Sequence, residues 1–291
     1  MNFGKILTAM ITPFDENGEI NFDETTKLVN YLLENGTEGL VVAGTTGESP
    51  TLTTKEKIAL FSHVVKIVDK RVPVIAGTGG NNTKSSIELT KEAERCGVDA
   101  IMLVAPYYNK PNQRGLYEHF KAIANETSLP VMLYNIPGRS VVKMTSETII
   151  ELSKIENIVS VKEASGDLDQ AAIIIENTSE DFTVYSGDDG LTLPMLAIGG
   201  DGIVSVASHV IGNEMQEMVQ AFNDGNIKSA ASIHRKLLSI MNGLFEAPSP
   251  TPVKAALVLK GINPGGVRLP LVPLTEVEEN NVRTLLESLN K

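Results

Sequence analysis

Short apolar runs that end in glycine, proline, asparagine or serine alternate along this chain with longer segments whose apolar residues recur at helical spacing. A strand covered on both faces reads as a continuous apolar run, and such strands belong to parallel sheets whose crossovers are helices. Eight runs fit this description: Ile6–Ile11, Leu40–Ala43, Val72–Ala76, Ala100–Val104, Val131–Tyr134, Ile158–Lys162, Thr183–Ser186 and Gly202–Val206. Strand and helix repeated in that number predict an α/β fold, a TIM (β/α)8 barrel with right-handed crossovers.

The helical segments carry their own start and stop signals. Thr53 with Glu56 three residues later makes a capping box, and Ile58, Leu60, Phe61, Val64, Val65 and Val68 supply the apolar face that follows. Ser85–Cys96 reads the same way and is ended by Gly97. From about residue 213 the alternation stops, and segments around Glu214–Phe222, Ile227–Phe245, Pro252–Lys260 and Glu276–Asn290 read as helices with no strands between them. The expected organisation is a barrel over 1–224 that carries the active site, then a C-terminal helical region over 225–291.

Composition narrows the function classes. With 291 residues, 42% hydrophobic and 21% charged, the chain can bury a large core. A net charge of −11 gives no basic footprint for nucleic acid or an anionic membrane, although a local positive pocket for small acids remains open. The single cysteine, Cys96, has no internal partner and reads as a helix-end residue, which points to a reducing compartment. The first residues lack the pattern of a secretory leader, and no apolar run reaches the ~18–20 residues of a membrane span. The cytoplasm is the expected location.

In a parallel barrel the chemistry sits at the carboxyl ends of the strands. Lys162 ends the sixth run, after Ile158, Val159, Ser160 and Val161. An ammonium withdrawn from water is destabilised, and the neutral amine can attack a carbonyl carbon to form a Schiff base. The structural alternative is a lysine that reaches the rim or pairs with Glu163. After the second run, Gly44-Thr45-Thr46-Gly47-Glu48-Ser49 offers hydroxyls and backbone N–H groups for a carboxylate, or simply a tight turn into a helix cap. Gly77-Thr78-Gly79-Gly80-Asn81 repeats the theme without the spacing of a dinucleotide fingerprint.

Later strand ends add tyrosines and an arginine. Tyr107 and Tyr108 lie in the loop after the fourth run; Tyr134 ends the fifth, ahead of Arg139. A tyrosine hydroxyl can relay protons and an arginine can grip a carboxylate through two parallel bonds, or they can be a core tyrosine and a surface ion pair. Asp188 and Asp189 read as helix caps rather than metal ligands, and His63, His119, His209 and His234 lack metal-ligand spacing. No Gly-x-Ser-x-Gly elbow accompanies a strand.

Together, Gly44-Thr45-Thr46-Gly47-Glu48, Tyr134-Asn135-Ile136-Pro137-Gly138-Arg139 and Val161-Lys162-Glu163-Ala164-Ser165-Gly166 resemble the class I, Schiff-base-forming pyruvate aldolase family, essentially end to end. Ala105-Pro106-Tyr107-Tyr108-Asn109-Lys110-Pro111, Ser186-Gly187-Asp188-Asp189 and Arg139 place the likeness nearest the members that condense pyruvate with L-aspartate 4-semialdehyde on the route to diaminopimelate and lysine. The resemblance implies an imine on Lys162 and a proton relay of Thr45, Tyr108 and Tyr134, with Tyr108 presented by a neighbouring subunit of a homodimer or homotetramer. It further implies that Thr45 and Thr46 hold the pyruvate carboxylate, that Arg139 receives the semialdehyde carboxylate, and that the backbone at Gly187 and Ile203 lines the pocket. No metal or organic cofactor is implied. The alternative is another pyruvate aldolase, such as N-acetylneuraminate lyase or a keto-deoxy-sugar-acid aldolase; a non-catalytic barrel that binds a small acid is the reading from a different class.

One region departs from part of the family. Members inhibited by lysine carry a pocket at the dimer interface, and this chain keeps the matching Ser49, Asn81 and Tyr107. It places Pro50, Thr54, Lys57 and Ser85 where inhibited members have alanine, two histidines and a glutamate. Loss of the glutamate and gain of Lys57 both disfavour a ligand ammonium, so weak or absent lysine inhibition is expected.

Overall fold

The computed structural model describes residues 3–289. Eight parallel strands close into a barrel in chain order: β1 (Ile6–Ala9), β2 (Gly39–Val42), β3 (Val74–Gly77), β4 (Ala100–Val104), β5 (Val131–Asn135), β6 (Ile158–Glu163), β7 (Thr183–Ser186) and β8 (Gly202–Ser205), with β8 pairing back to β1. The crossovers carry α1 (Phe22–Glu34), α2 (Thr54–Val68), α3 (Thr83–Arg95), α4 (Gln113–Ala124), the short α5 (Pro137–Ser140) with α6 (Ser146–Leu152), α7 (Leu168–Asn177) and α8 (Thr192–Ala197). Then come α9 (Ser208–Asn223), α10 (Ile227–Gly243), α11 (Thr251–Leu259) and α12 (Glu276–Ser288).

Each expected strand is present, with ends moved by no more than two residues. β2 stops at Val42 because Ala43 takes a φ of +53°, which breaks the extended run. The helix starts move by similar amounts. α3 begins before Ser85 because Asn82 is the residue whose side chain accepts from the Ser85 N–H. A short turn from Ser208 precedes the helix expected from Glu214, the two separated by a kink at Ile211 (φ −132°, ψ +30°), and the entry to that turn is fixed by the Asp189 carboxylate, which accepts from the N–H groups of Val206 and Ala207. The capping box of Thr53 and Glu56 forms as expected. Of the last expected helix, Asn290 lies outside the described residues.

The core has two layers, as a closed parallel barrel requires. Inside the barrel lie Leu7, Val41, Ile75, Met102, Met132, Tyr134, Tyr185 and Val204. Alternate residues such as Ile6, Leu40, Val42, Leu103, Leu133 and Ile203 face outward against the helices, each burial contributing about 1.5–3 kcal/mol. The outer layer continues into Leu237, Ile240, Val253, Leu257 and Val282, so the helices on either side of the turn at 224–226 share one core. Among the described residues no helix is long and apolar enough to cross a membrane.

Candidate active site

Lys162 enters the barrel because β6 breaks its own alternation. Ile158 faces outward, and strict period-two geometry would put residue 162 on the same face. A bulge prevents this: Val131 pairs with Ile158 but Met132 pairs with Ser160, leaving Val159 as the extra residue. Beyond it the register holds, Val161 points out, and Lys162 points in between Tyr134 on β5 and Tyr185 on β7.

The amine is nearly sealed. Lys162 is 5% exposed, with Nζ 4.3 Å from the centroid of the Tyr134 ring. Glu163 turns the other way and accepts from Asn135 Nδ2 at 2.9 Å, Gln170 Nε2 at 3.0 Å and the Ser165 N–H at 2.7 Å. The pairing of Lys162 with Glu163 is therefore not formed, and no ion pair among the described residues includes Lys162. On the other flank, Tyr185 donates to the Gly4 carbonyl at 2.9 Å, and burial with the Asp201 carboxylate raises it above the ordinary phenol range. Tyr185 is thus a fixed wall, with its proton committed.

Gly187 follows β7, its N–H donating to the Glu163 carbonyl at 2.8 Å. A Cβ there would stand 2.5 Å from Ala164 Cβ and 3.0 Å from Lys162 Cε, so only glycine leaves the lysine stem its path. Thr45 and Thr46 lie in the loop after β2, which closes on itself through Glu48 N–H to Thr45 carbonyl at 3.0 Å and Ser49 N–H to Gly44 carbonyl at 3.2 Å. Thr12 Oγ1 donates to the Gly47 carbonyl at 2.7 Å and pins the same loop to the segment after β1.

A cavity of about 490 Å³ opens over this end of the barrel, lined by Thr45, Tyr134 and Arg139 and extending to Lys57, Ser85 and Tyr107. Its lining among the described residues includes two cations and no carboxylate. Burial alone pushes Lys57 down from the ordinary lysine value, with no acid to oppose the shift. Arg139 stands exposed on α5 at the rim. The cavity thus offers the Thr45 hydroxyl and, at its rim, the exposed Arg139 guanidinium, groups that suit a carboxylate, whereas the Lys162 amine lies beside Tyr134 and is not part of the lining.

Lys162, Thr46 and Gly187 are not among the residues that line this cavity, and Tyr108 and Ile203 lie further apart. Tyr108 is 88% exposed in the loop after β4, with a φ of +71°, and does not line the cavity of its own chain. Asn81 Nδ2 donates to the Tyr107 carbonyl and Asn109 Nδ2 to the Asn81 carbonyl, which hold that loop. Ile203 sends its side chain into the outer core, and its N–H donates to the Lys5 carbonyl at 2.9 Å. Asp188 caps the turn that follows it by accepting from the Gly190 N–H, whereas Asp189 is buried against Ser205, Val206 and Ala207.

Sequence reasoning missed the supports. Asn135 and Glu163 are register partners on β5 and β6, and Glu48 pairs with Lys254 of α11 at 2.8 Å. Lys254 did carry a signal, a lysine inside the apolar run Val253-Lys254-Ala255-Ala256-Leu257, the same one that singles out Lys162.

Residues 2–289 match the model of the dihydrodipicolinate synthetase family. A 4-hydroxy-tetrahydrodipicolinate synthase of Bacillus subtilis is 62% identical over 290 residues, covering 99% of this chain and all of that protein. One of Halalkalibacterium halodurans is 64% identical over 282 residues, 97% of this chain and 96% of its own. The crystal structure of a dihydrodipicolinate synthase from Bacillus anthracis superposes with a TM-score of 0.98 at 63% identity, covering 99% of both chains. Fold, site and sequence agree over the full length: the chain belongs to the dihydrodipicolinate synthetase family.

Proposed function

We propose that this chain condenses pyruvate with L-aspartate 4-semialdehyde to give 4-hydroxy-tetrahydrodipicolinate, in diaminopimelate and lysine biosynthesis, through a Schiff base on Lys162. The observation that carries the reading is the buried Lys162 amine, without an ion pair, set beside Tyr134 inside the barrel mouth. Relatives over 60% identical along essentially the whole chain bear that synthase name, which disfavours the sugar-acid aldolases. A family member from Acinetobacter baumannii is described as complexed with pyruvate.

Lys162 Nζ attacks the keto carbon of pyruvate, and water leaves to give the iminium. The iminium draws electrons so that the methyl carbon loses a proton and becomes an enamine. That carbon adds to the aldehyde, and the semialdehyde's own amine then closes onto the imine carbon and expels Lys162. Thr45, Tyr134 and Tyr108 move the protons, Thr45 and Thr46 hold the pyruvate carboxylate, and Arg139 takes the second carboxylate. The backbone at Gly187 and Ile203 shapes the floor. Because Tyr108 stands out from its own chain, it serves a neighbouring copy in a homodimer or homotetramer; its exposure and left-handed backbone support this. The cytoplasm, where a single unpaired cysteine stays reduced, is the compartment for this chemistry.

Lysine inhibition is weak or absent in this reading. A relative from Cyanidioschyzon merolae is described with lysine bound, but here the lobe around Lys57 and Ser85 has no lining carboxylate among the described residues for an ammonium. Sub-millimolar lysine binding in a calorimetric titration would overturn this.

The test of the function is borohydride reduction with pyruvate, expected to add a stable mass to Lys162 and to nothing in Lys162→Ala. A coupled assay against a panel of aldehydes is expected to select the semialdehyde. Absence of the adduct, or equal turnover with sugar aldehydes, refutes the reading.

A further inference from the structure

Lys254 and Glu48 form the most buried ion pair of the described residues, 4% and 0% exposed at 2.8 Å. Neither takes part in the chemistry above. Two charges removed from water do not by themselves stabilise a fold, so such a pair calls for a geometric reason. Glu48 lies in the loop of Thr45 and Thr46 and adopts φ +55° and ψ +35°, a left-handed turn that a side chain disfavours. Its N–H closes that turn on the Thr45 carbonyl.

The C-terminal region grips both carboxylate oxygens. Lys254 Nζ meets Oε1 and the Arg268 N–H donates to Oε2 at 2.9 Å. Lys254 also donates to the Gly266 carbonyl at 2.6 Å, while Arg268 donates to the Thr51 carbonyl at 2.9 Å and the Gly18 carbonyl at 2.7 Å. The Phe14 ring receives both cations, Lys254 at 4.3 Å and Arg268 at 4.4 Å from its centroid. The segment after α11 thus ties down the middle of the loop at Glu48 and its exit at Thr51.

We propose that Glu48 and Lys254 are positioning residues, through which the C-terminal region holds the Thr45–Thr46 turn in the geometry that receives the pyruvate carboxylate. The inference rests on the reading that those threonines hold pyruvate and that Lys162 forms the imine. Arg139, on α5, stands outside this anchor, so the two substrates should respond differently.

The test compares wild type with Glu48→Gln, Lys254→Met and the double variant. The readouts are the pyruvate concentration for half-maximal borohydride trapping on Lys162, and KM for the semialdehyde at saturating pyruvate. The expected result is a rise of about tenfold in half-saturating pyruvate with less than about a twofold change for the semialdehyde. Unchanged pyruvate saturation, or equal shifts for both substrates, would overturn the proposal. Where Lys254→Met fails to fold because Glu48 is left unpaired, the double variant decides, since it buries neither charge. A double variant that regains both thermal stability and wild-type pyruvate saturation would show that the pair serves folding alone, and would sink the proposal. Wild type that gains no pyruvate adduct refutes the functional reading instead, a separate outcome.

Discussion

Around the Lys162 amine, single atoms decide. Adding one methyl at Gly187 would bring a Cβ to 3.0 Å from Lys162 Cε and 2.5 Å from Ala164 Cβ, and the backbone of β7 cannot retreat while its N–H bonds the Glu163 carbonyl. The lysine stem must therefore move, and a displacement near 1 Å at a reacting atom costs on the order of 10²-fold in rate. Gly187→Ala is expected to lower both kcat and the rate of borohydride trapping by about that factor while leaving the far-ultraviolet circular dichroism unchanged. Wild-type trapping in this variant would mean that the stem has more room than these distances allow. Lys162 was legible because a charged residue at the end of an apolar strand is conspicuous. Lys254 is equally conspicuous, and what separates the two is a carboxylate partner brought in by folding from the loop after β2, which no local pattern reveals.

At the scale of elements, strands and most helix starts were legible, and the turn that leads into α9 was not. A strand buried on both faces announces itself as an apolar run, whereas the turn from Ser208 to the kink at Ile211 borrows its cap, Asp189, from the loop after β7. Likewise β6 gave no sign of the bulge at Val159, since a short run that is apolar at Ile158, Val159 and Val161 and broken only by Ser160 does not show which face each residue takes. The borrowed cap carries a prediction. Asp189→Ala strips the Val206 and Ala207 N–H groups of their acceptor and frees Ser205 Oγ, and each buried donor left unsatisfied costs about 1–3 kcal/mol. A loss of about 2–4 kcal/mol in urea denaturation is expected, against less than about 1 kcal/mol for the exposed cap Asp188→Ala. Equal losses at the two positions would contradict the borrowed cap.

The molecule as a whole should weaken in acid through two successive windows. Burial holds His119 and His209 neutral down to about 4, and at His209 the geometry explains why: the ring accepts the Ile11 N–H at Nε2, leaving no place for a second proton. An unfolded histidine takes its proton near 6.5, so between that pH and 4 the unfolded chain binds protons that the folded chain refuses, and stability falls as pH falls. In the second window hydrogen bonds hold Glu94, Glu147, Asp167 and Glu278 below their ordinary range, and the largest shift is that of Glu56, held at about 2 chiefly by its hydrogen bond to Arg268. Its stabilisation is complete above the ordinary value of 4.5 and is lost as pH drops towards 2, which loosens the contact between the C-terminal segment and the start of α2. Denaturant titrations at pH 7, 5.5, 4 and 3 are expected to show stability declining across both windows. Glu56→Gln should make only the lower decline shallower, and a folded His119→Gln/His209→Gln variant only the upper. A folded His119→Gln/His209→Gln variant that still weakens between pH 7 and 4.5 as wild type does would exclude the two histidines as the source and leave half-buried His234, lowered by burial and by the neighbouring Arg235, whereas buried Asp189, raised by its burial, acts in the opposite sense.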